Sequence, residues 1–107
     1  DVGSGVDNPS HAAANKLYQN HPNTFNPTTT IRYTIEERSH VTLKIYNPAG
    51  QLVRNLVDDV QSPRETGFSV VWNGRNDAGM PVASGVYLYK LTVGSQFEDV
   101  RKLVLLK

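Results

Sequence analysis

The strongest cluster of polar side chains in the sequence is one short stretch, Asn73, Arg75, Asn76 and Asp77. Their amide and carboxylate oxygens could contribute to a calcium site, which needs about six to eight oxygen ligands. The stretch lacks the spaced acidic residues of a calcium-binding loop, however, and Gly79 follows where a tight turn needs a residue with positive φ. The sequence therefore favours a turn over a metal site, and it leaves open whether residues 73–77 bind a cation.

Catalysis needs a nucleophile or an acid–base pair whose members lie within reach of one another. The three histidines, His11, His21 and His40, are far apart and lack the His-x-x-x-His interval typical of metal ligands. Asp58 and Asp59 are adjacent, so they would point in opposite directions from an extended chain, and we predict that they begin a loop as solvated charges. We therefore predict that the domain is not an enzyme and uses no cofactor.

Aromatic side chains could instead form a platform for a sugar ring. Trp72, Tyr87 and Tyr89 fall at inward positions of alternating segments, whereas Tyr46 falls at an outward one. Buried aromatic residues dominate the cores of small β domains, so we predict core packing rather than a sugar-binding surface.

The composition limits the classes of protein to which the chain can belong. Its 107 residues suffice for one domain, and its 11 basic and 10 acidic residues are scattered, which argues against nucleic acid as a partner. It has no cysteine for a disulfide or a thiol nucleophile, and no apolar run near the roughly 18 residues that a membrane-spanning helix needs. The chain starts at Asp1 and its single methionine is Met80, so we expect it to be part of a longer protein.

Short alternating segments separated by turn residues run from Thr30 to the end of the chain. This pattern predicts an all-β fold, an immunoglobulin-like antiparallel β-sandwich of about seven strands, over residues 17–107. Residues 1–16 have no sustained period and are predicted to be a linker. The predicted inward rows are Ile31, Tyr33 and Ile35; Val41, Leu43 and Ile45; Phe68, Val70 and Trp72; and Tyr87, Tyr89, Leu91 and Val93.

Three segments depart from clean alternation. The apolar residues of segment 51–57 do not alternate, which predicts either a β-bulge or a strand covered on both faces. Residues 103–106 are all apolar, which predicts that the last strand is covered on both sides. The stretch "NHPNTFNPTTTIRY", residues 20–33, has side chains that could bind a cation or sugar hydroxyls. The same residues also make turns, so we predict that this stretch is a structural entry into the first strand.

Four blocks of the sequence form a recognisable series. They are "LYQNHPNTFNPTTTIRYTI", "VTLKIYNPAGQLVRNLV", "WNGRNDAGMPVASGVYLYKL" and "RKLVLLK", which follow one another between Leu17 and Lys107. In this order they resemble the C-terminal sorting domains of type IX secretion cargo proteins. The middle portion is also similar to the immunoglobulin-like domain of flagellar hook-capping proteins. One residue departs from the pattern, because Thr24 stands where the family usually has a second proline after Asn.

This resemblance implies a non-catalytic domain that follows a secreted cargo protein and directs it to the type IX translocon of the outer membrane. The implied partners are that translocon, its processing machinery and the N-terminal cargo domain, with no nucleic acid and no membrane span. The implied location is the medium or the cell surface of a Gram-negative bacterium, reached through the periplasm. The residues that the resemblance marks as candidates for the sorting signal are Gly85, Val86, Tyr87, Arg101, Lys102, Leu103, Val104, Leu105, Leu106 and Lys107.

Two other functions are weighed against this one. An accessory binding or spacer module of an extracellular carbohydrate-active enzyme would need a row of exposed aromatic residues on one sheet face, which the sequence does not show. A flagellar hook-cap segment would lie inside a longer chain, whereas we expect this domain to end at Lys107.

Overall fold

Two antiparallel sheets pack face to face in the computed structural model, which describes residues 14–107. This part of the chain is all β and contains no helix, which confirms the predicted immunoglobulin-like sandwich. No helix that could span a membrane is present in it either. The seven strands are β1 (Lys16–Leu17), β2 (Thr29–Thr34), β3 (Ser39–Tyr46), β4 (Leu52–Gln61), β5 (Phe68–Trp72), β6 (Gly85–Val93) and β7 (Phe97–Leu105).

The strands divide into a three-stranded sheet of order β1-β2-β5 and a four-stranded sheet of order β4-β3-β6-β7. Tight turns join the hairpins of the larger sheet. In the β3–β4 turn, for example, the amide of Gly50 donates to the carbonyl of Asn47 at 2.9 Å, and Gly50 has a φ of 85°. Glycine adopts this left-handed conformation without steric cost, so the sequence "NPAG" folds back as predicted.

The core lies between the two sheets and is built from alternate residues of each strand. The predicted inward rows of β2, β3 and β6 are all buried, and Trp72 of β5 is fully buried. Trp72 contacts Phe25 and Tyr87, with ring centroids 5.6 Å away in each case, while Tyr33 stacks on Phe68 at 5.0 Å. Because strand side chains alternate between faces, one apolar row from each strand suffices to fill this core.

Strand β4 is longer than the sequence analysis predicted. Asp58 and Asp59 do not begin a loop, because they continue β4 and lie opposite Thr42 and Val41 of β3. The eight-residue strand β3 offers pairing partners beyond Val57, and this pairing outweighs the low strand propensity of aspartate. The register between β3 and β4 shifts twice, so of the two alternatives for residues 51–57 the β-bulge is confirmed.

The last strand is covered on one side and not on both. Leu103 and Leu105 are buried in the core, but Val104 is half-buried on the other face and Leu106 is 60% exposed. The prediction from the apolar run was therefore wrong, because no third layer covers the outside of the four-stranded sheet within residues 14–107.

The sandwich begins earlier than the predicted boundary at residue 17. Lys16 lies in β1 opposite Thr34, and the side-chain oxygen of Asn15 accepts a hydrogen bond from the amide of Glu36 at 2.9 Å. The rest of the predicted linker, residues 1–13, lies outside the described residues.

Candidate functional site

The two parts of the predicted sorting signal come together as one end of a β-hairpin. Residues 85–87 begin β6, residues 101–105 end β7, and the two strands pair in antiparallel register. Gly85 lies opposite Leu105, and Val86 lies opposite Val104. Beyond the strand, the amide of Lys107 donates to the Ser84 hydroxyl at 2.9 Å. The structure thus places both segments of the sequence motif side by side.

The predicted signal residues other than Gly85, which has no side chain, differ in the direction in which their side chains face. Those that fill the core are Tyr87, Leu103 and Leu105, which are buried. Arg101 lies at the side of the sandwich, where its Nε donates to the carbonyl of Leu17 at 2.9 Å. The residues that face solvent wholly or in part are Val86, Lys102, Val104, Leu106 and Lys107. Together with the 38% exposed side chain of Arg101, these residues are the part of the predicted signal that is accessible to a partner while the domain stays folded.

Val86, Lys102 and Val104 belong to a larger surface, the face of the four-stranded sheet that points away from the core, which we call the outer face. Near them on this face lie Tyr46 and Leu88, which are half-buried, and Val100, which is 45% exposed. A shallow depression of about 270 Å³ lies between Tyr46, Gly50, Leu88, Lys90 and Val100. The outer face therefore joins the predicted signal residues to an apolar hollow on β3, β6 and β7.

Lysines surround this hollow. Lys44 of β3 lies directly opposite Lys90 of β6, and Lys102 of β7 lies opposite Leu88. The Lys90 ammonium is 3.8 Å from a carboxylate oxygen of Glu98, whereas none of the ion pairs found in residues 14–107 includes Lys44 or Lys102. Like charges that face each other across two strands are unfavourable. The outer face thus combines an apolar centre with positive charge.

The free edge of β7 is closed by the segment that precedes β2. The Gln19 side chain donates to the carbonyl of Lys102 at 2.7 Å, and the Asn23 side chain accepts from the amide of Val104 at 2.9 Å. Phe25 then bonds to the strand edge through its own backbone, since its amide donates to Val104 and its carbonyl accepts from Leu106. Residues 19–25, which we call the entry segment, therefore occupy the place of a further strand.

The asparagine-rich stretch has a structural role, as its turn chemistry predicted. Asn20 is buried, and its side-chain amide donates to the Thr29 hydroxyl at 2.9 Å and to the carbonyl of Pro22 at 3.1 Å. The backbone amide of Asn20 donates to the Tyr89 hydroxyl at 2.8 Å. These bonds fix the entry segment against both sheets. Sequence reasoning missed the contact of Asn23 with β7 because the two positions are 81 residues apart.

The polar loop at residues 73–77 uses its oxygens for internal hydrogen bonds. The Asn76 side chain accepts from the amides of Ala78 and Met80, both at 3.0 Å, and Asp77 accepts from the amide of Asn55 at 2.9 Å. Gly79 has a φ of 82°, as the predicted turn requires. No group of three or more potential metal-ligating side chains comes together in the part of the chain that the structure describes.

Among residues 14–107, one carboxylate, Asp58, has a clearly lowered pKa, and it lies on the outer face at the far end from the predicted signal. A hydrogen bond from the His40 ring holds the pKa of Asp58 below its usual value, and both side chains are more than half exposed. An exposed pair of this kind is a surface contact of small energetic weight.

The aromatic residues do not form a sugar-binding row. Trp72, Tyr87 and Tyr89 are buried in the core, and Tyr46 is half-buried on the outer face beneath the Lys90 ammonium, which lies 5.8 Å from its ring centre. This agrees with the prediction of core packing.

Two known structures share the fold over most of this chain. PorZ of Porphyromonas gingivalis, described as an essential surface component of the type IX secretion system, is 23% identical over 85% of the chain, with a TM-score of 0.60. Dimeric latent PorU of the same organism is 18% identical over 84% of the chain, with a TM-score of 0.67. The chain spans only 11% of the length of PorZ and 9% of that of PorU.

A third structure, CopC of Methylosinus trichosporium OB3b, is similar along nearly its whole length. It is 14% identical over 86% of this chain and 93% of its own, with a TM-score of 0.50. At these identities the three similarities establish the fold. No curated protein sequence matches the chain. The model of the FlgD Ig-like domain matches residues 22–96, which is well over half of the sequence, and the chain belongs to that family.

Proposed function

We propose that this domain is a non-catalytic sorting domain, which directs an attached secreted protein to the type IX secretion machinery of a Gram-negative bacterium. Its partners in this proposal are the outer-membrane translocon, the associated processing machinery and the cargo that precedes it. The cargo carries out any chemistry, and it is released or held at the cell surface. The observation that carries the proposal is the pairing of Val86 with Val104 beside Lys102, which brings residues from both segments of the predicted sorting signal onto one accessible face.

Two further findings support this function. The fold is shared with part of PorZ, a protein described as a surface component of that secretion system. The candidate signal also extends past the family match, which ends at residue 96, one residue before β7 begins. The exposed basic end of β7 therefore lies outside the matched segment.

Lys102 and Lys107 allow function to be tested apart from folding. Both side chains are exposed, whereas their backbones make the structural contacts, Lys102 with Gln19 and Lys107 with Ser84. An alanine retains those backbone groups. Exposed charges of this kind change the free energy of unfolding by no more than about 0.5 kcal/mol. We therefore expect the double variant Lys102→Ala, Lys107→Ala to melt at the temperature of the parent domain.

The experiment fuses a reporter protein ahead of the domain in a bacterium with a working type IX system. With the double variant we expect the reporter to accumulate in the periplasm, while the parent domain delivers it to the surface or the medium. Lys16→Ala serves as the matched control, because Lys16 is exposed on the other sheet. Delivery of the double variant at the parent level would show that the basic end is not part of the signal.

A further inference from the structure

We infer that the outer face binds an acidic segment of a partner protein, which inserts one large apolar side chain into the hollow between Tyr46, Leu88 and Val100. The identification of that partner as a component of the secretion machinery rests on the proposed function. The binding chemistry does not, because it follows from the charges and the shape of the surface itself.

The charge distribution across the strands indicates an acidic partner. Lys44 and Lys90 face each other across β3 and β6, and Lys102 follows diagonally on β7. Of the two carboxylates of the outer face, Asp58 pairs with His40, and Glu98 lies 3.8 Å from the ammonium of Lys90, which leaves Lys44 and Lys102 in none of the ion pairs found in residues 14–107. Around the hollow, positive charge is therefore in excess, and carboxylates of a partner would relieve the unfavourable opposition of Lys44 and Lys90.

The size of the hollow indicates what the partner inserts. Its volume of about 270 Å³ lies below the roughly 300 Å³ at which pockets for drug-sized ligands begin. Its lining is predominantly apolar, because it consists mainly of the side chains of Tyr46, Leu88 and Val100. A single leucine or phenylalanine side chain matches this space better than a sugar or a cofactor, and apolar anchors surrounded by a charged rim are typical of protein interfaces.

Binding across the sheet face also agrees with the state of the sheet edge. The entry segment forms hydrogen bonds with the backbone of β7 at Lys102 and Val104. These backbone groups are therefore not available to pair with an added strand. The side chains of the outer face, by contrast, are free of any covering segment among residues 14–107.

The test uses the full chain labelled with ¹⁵N and a synthetic peptide, acetyl-Glu-Ser-Leu-Ser-Glu-amide. In an extended peptide the two glutamates and the leucine share one face, with each glutamate about 7 Å from the leucine, so that a carboxylate lies on either side of the inserted side chain. We expect millimolar peptide to shift the amide resonances of Leu88, Lys90 and Val100. The matched peptide with lysine in place of both glutamates is expected to leave them in place.

Two variants locate the interaction. Lys44→Gln with Lys90→Gln is expected to weaken peptide binding by about five- to tenfold, since two exposed ion pairs are lost. Lys16→Gln, which removes the same charge from the other sheet, is expected to bind like the parent. Equal shifts with the acidic and the basic peptide, shifts elsewhere on the domain, or none at all would overturn the inference. The export experiment on Lys102 and Lys107 uses no peptide, so either result stands independently of the other.

Discussion

Tyr89 links strand β6 to the entry segment, and its replacement by phenylalanine tests how much that link stabilises the fold. The buried hydroxyl donates to the carbonyl of Tyr18 at 2.7 Å and accepts from the amide of Asn20 at 2.8 Å. Phenylalanine keeps the packing but leaves two backbone groups without a partner. Each unsatisfied buried group costs about 1–3 kcal/mol, so we expect Tyr89→Phe to lower the free energy of unfolding by about 2–6 kcal/mol at pH 7.

The pH dependence of the same variant provides an independent check. Burial raises the pKa of Tyr89 to about 12 from an ordinary value of 10.0. Above pH 10 the unfolded chain loses this proton before the folded chain does, so the stability contributed by the phenol is complete below pH 10 and declines as pH rises toward 12. A difference of two pKa units corresponds to about 3 kcal/mol, which the parent loses and the phenylalanine variant does not.

Urea denaturation at a series of pH values between 7 and 12 measures both effects. We expect the gap in unfolding free energy between parent and variant to be largest near pH 7 and to close as pH approaches 12. Tyr33 and Tyr87, whose pKa values are also raised by burial, contribute the same alkaline slope to both proteins. Tyr18→Phe is the control, because its ring is 36% exposed. A constant gap across the series, or none at pH 7, would refute the role given to the Tyr89 hydroxyl.

Three further substitutions test the core, a turn and the outer face. Trp72→Ala should cost about 3–5 kcal/mol in urea denaturation, because the indole is fully buried; parent-like stability would show that the core is wrongly placed. Gly67→Ala should cost more than Gly50→Ala, since both have positive φ but only at Gly67 would a Cβ meet a backbone oxygen at 3.1 Å; equal thermal midpoints would contradict this. Lys44→Thr should stabilise the fold by about 0.2–1 kcal/mol at low salt and less at high salt, and a loss of stability would disprove repulsion from the facing lysine.

The core was predictable because its signal is local. Along β3 the residues Val41, Leu43 and Ile45 alternate with polar neighbours, and the two-residue period of a strand assigns each of them to a face without knowledge of its partner. Trp72 was identified in the same way. The all-β class and the sandwich follow from several such rows in succession.

The errors arose where a neighbouring strand decides the outcome. Asp58 and Asp59 look like loop residues, yet β3 supplies partners that extend β4 over them. Leu106 looks like a core residue, yet it lies past the end of β7 on a sheet with no outer layer. The length of a strand and the burial of its outer face depend on contacts between distant segments. The alternation of apolar residues along the sequence gives no information on those contacts.

In the candidate site, too, some features follow from the local sequence and others from contacts between distant segments. The sequence motif identified residues 85–87 and 101–107, but their union depends on the register of β6 and β7, which the hairpin turn and the buried faces fix together. The sequence did not indicate that Lys44 and Tyr46 belong to the same surface, because they lie on β3, some forty residues before the β6 residues that they pair with. They reach the same surface only through pairing with β6.

The closed edge of β7 determines how a partner can recognise this strand. Strand addition would first have to remove the entry segment, with four hydrogen bonds at Lys102, Val104 and Leu106 and the buried ring of Phe25. At about 0.5–1.5 kcal/mol for each bond and about 1.5–3 kcal/mol for the ring, this removal costs roughly 4–9 kcal/mol. Small domains have only about 5–15 kcal/mol of stability in total. A partner strand would have to recover this cost with hydrogen bonds and apolar contacts of its own, whereas recognition of Val86, Lys102 and Val104 across the outer face displaces no segment of the domain.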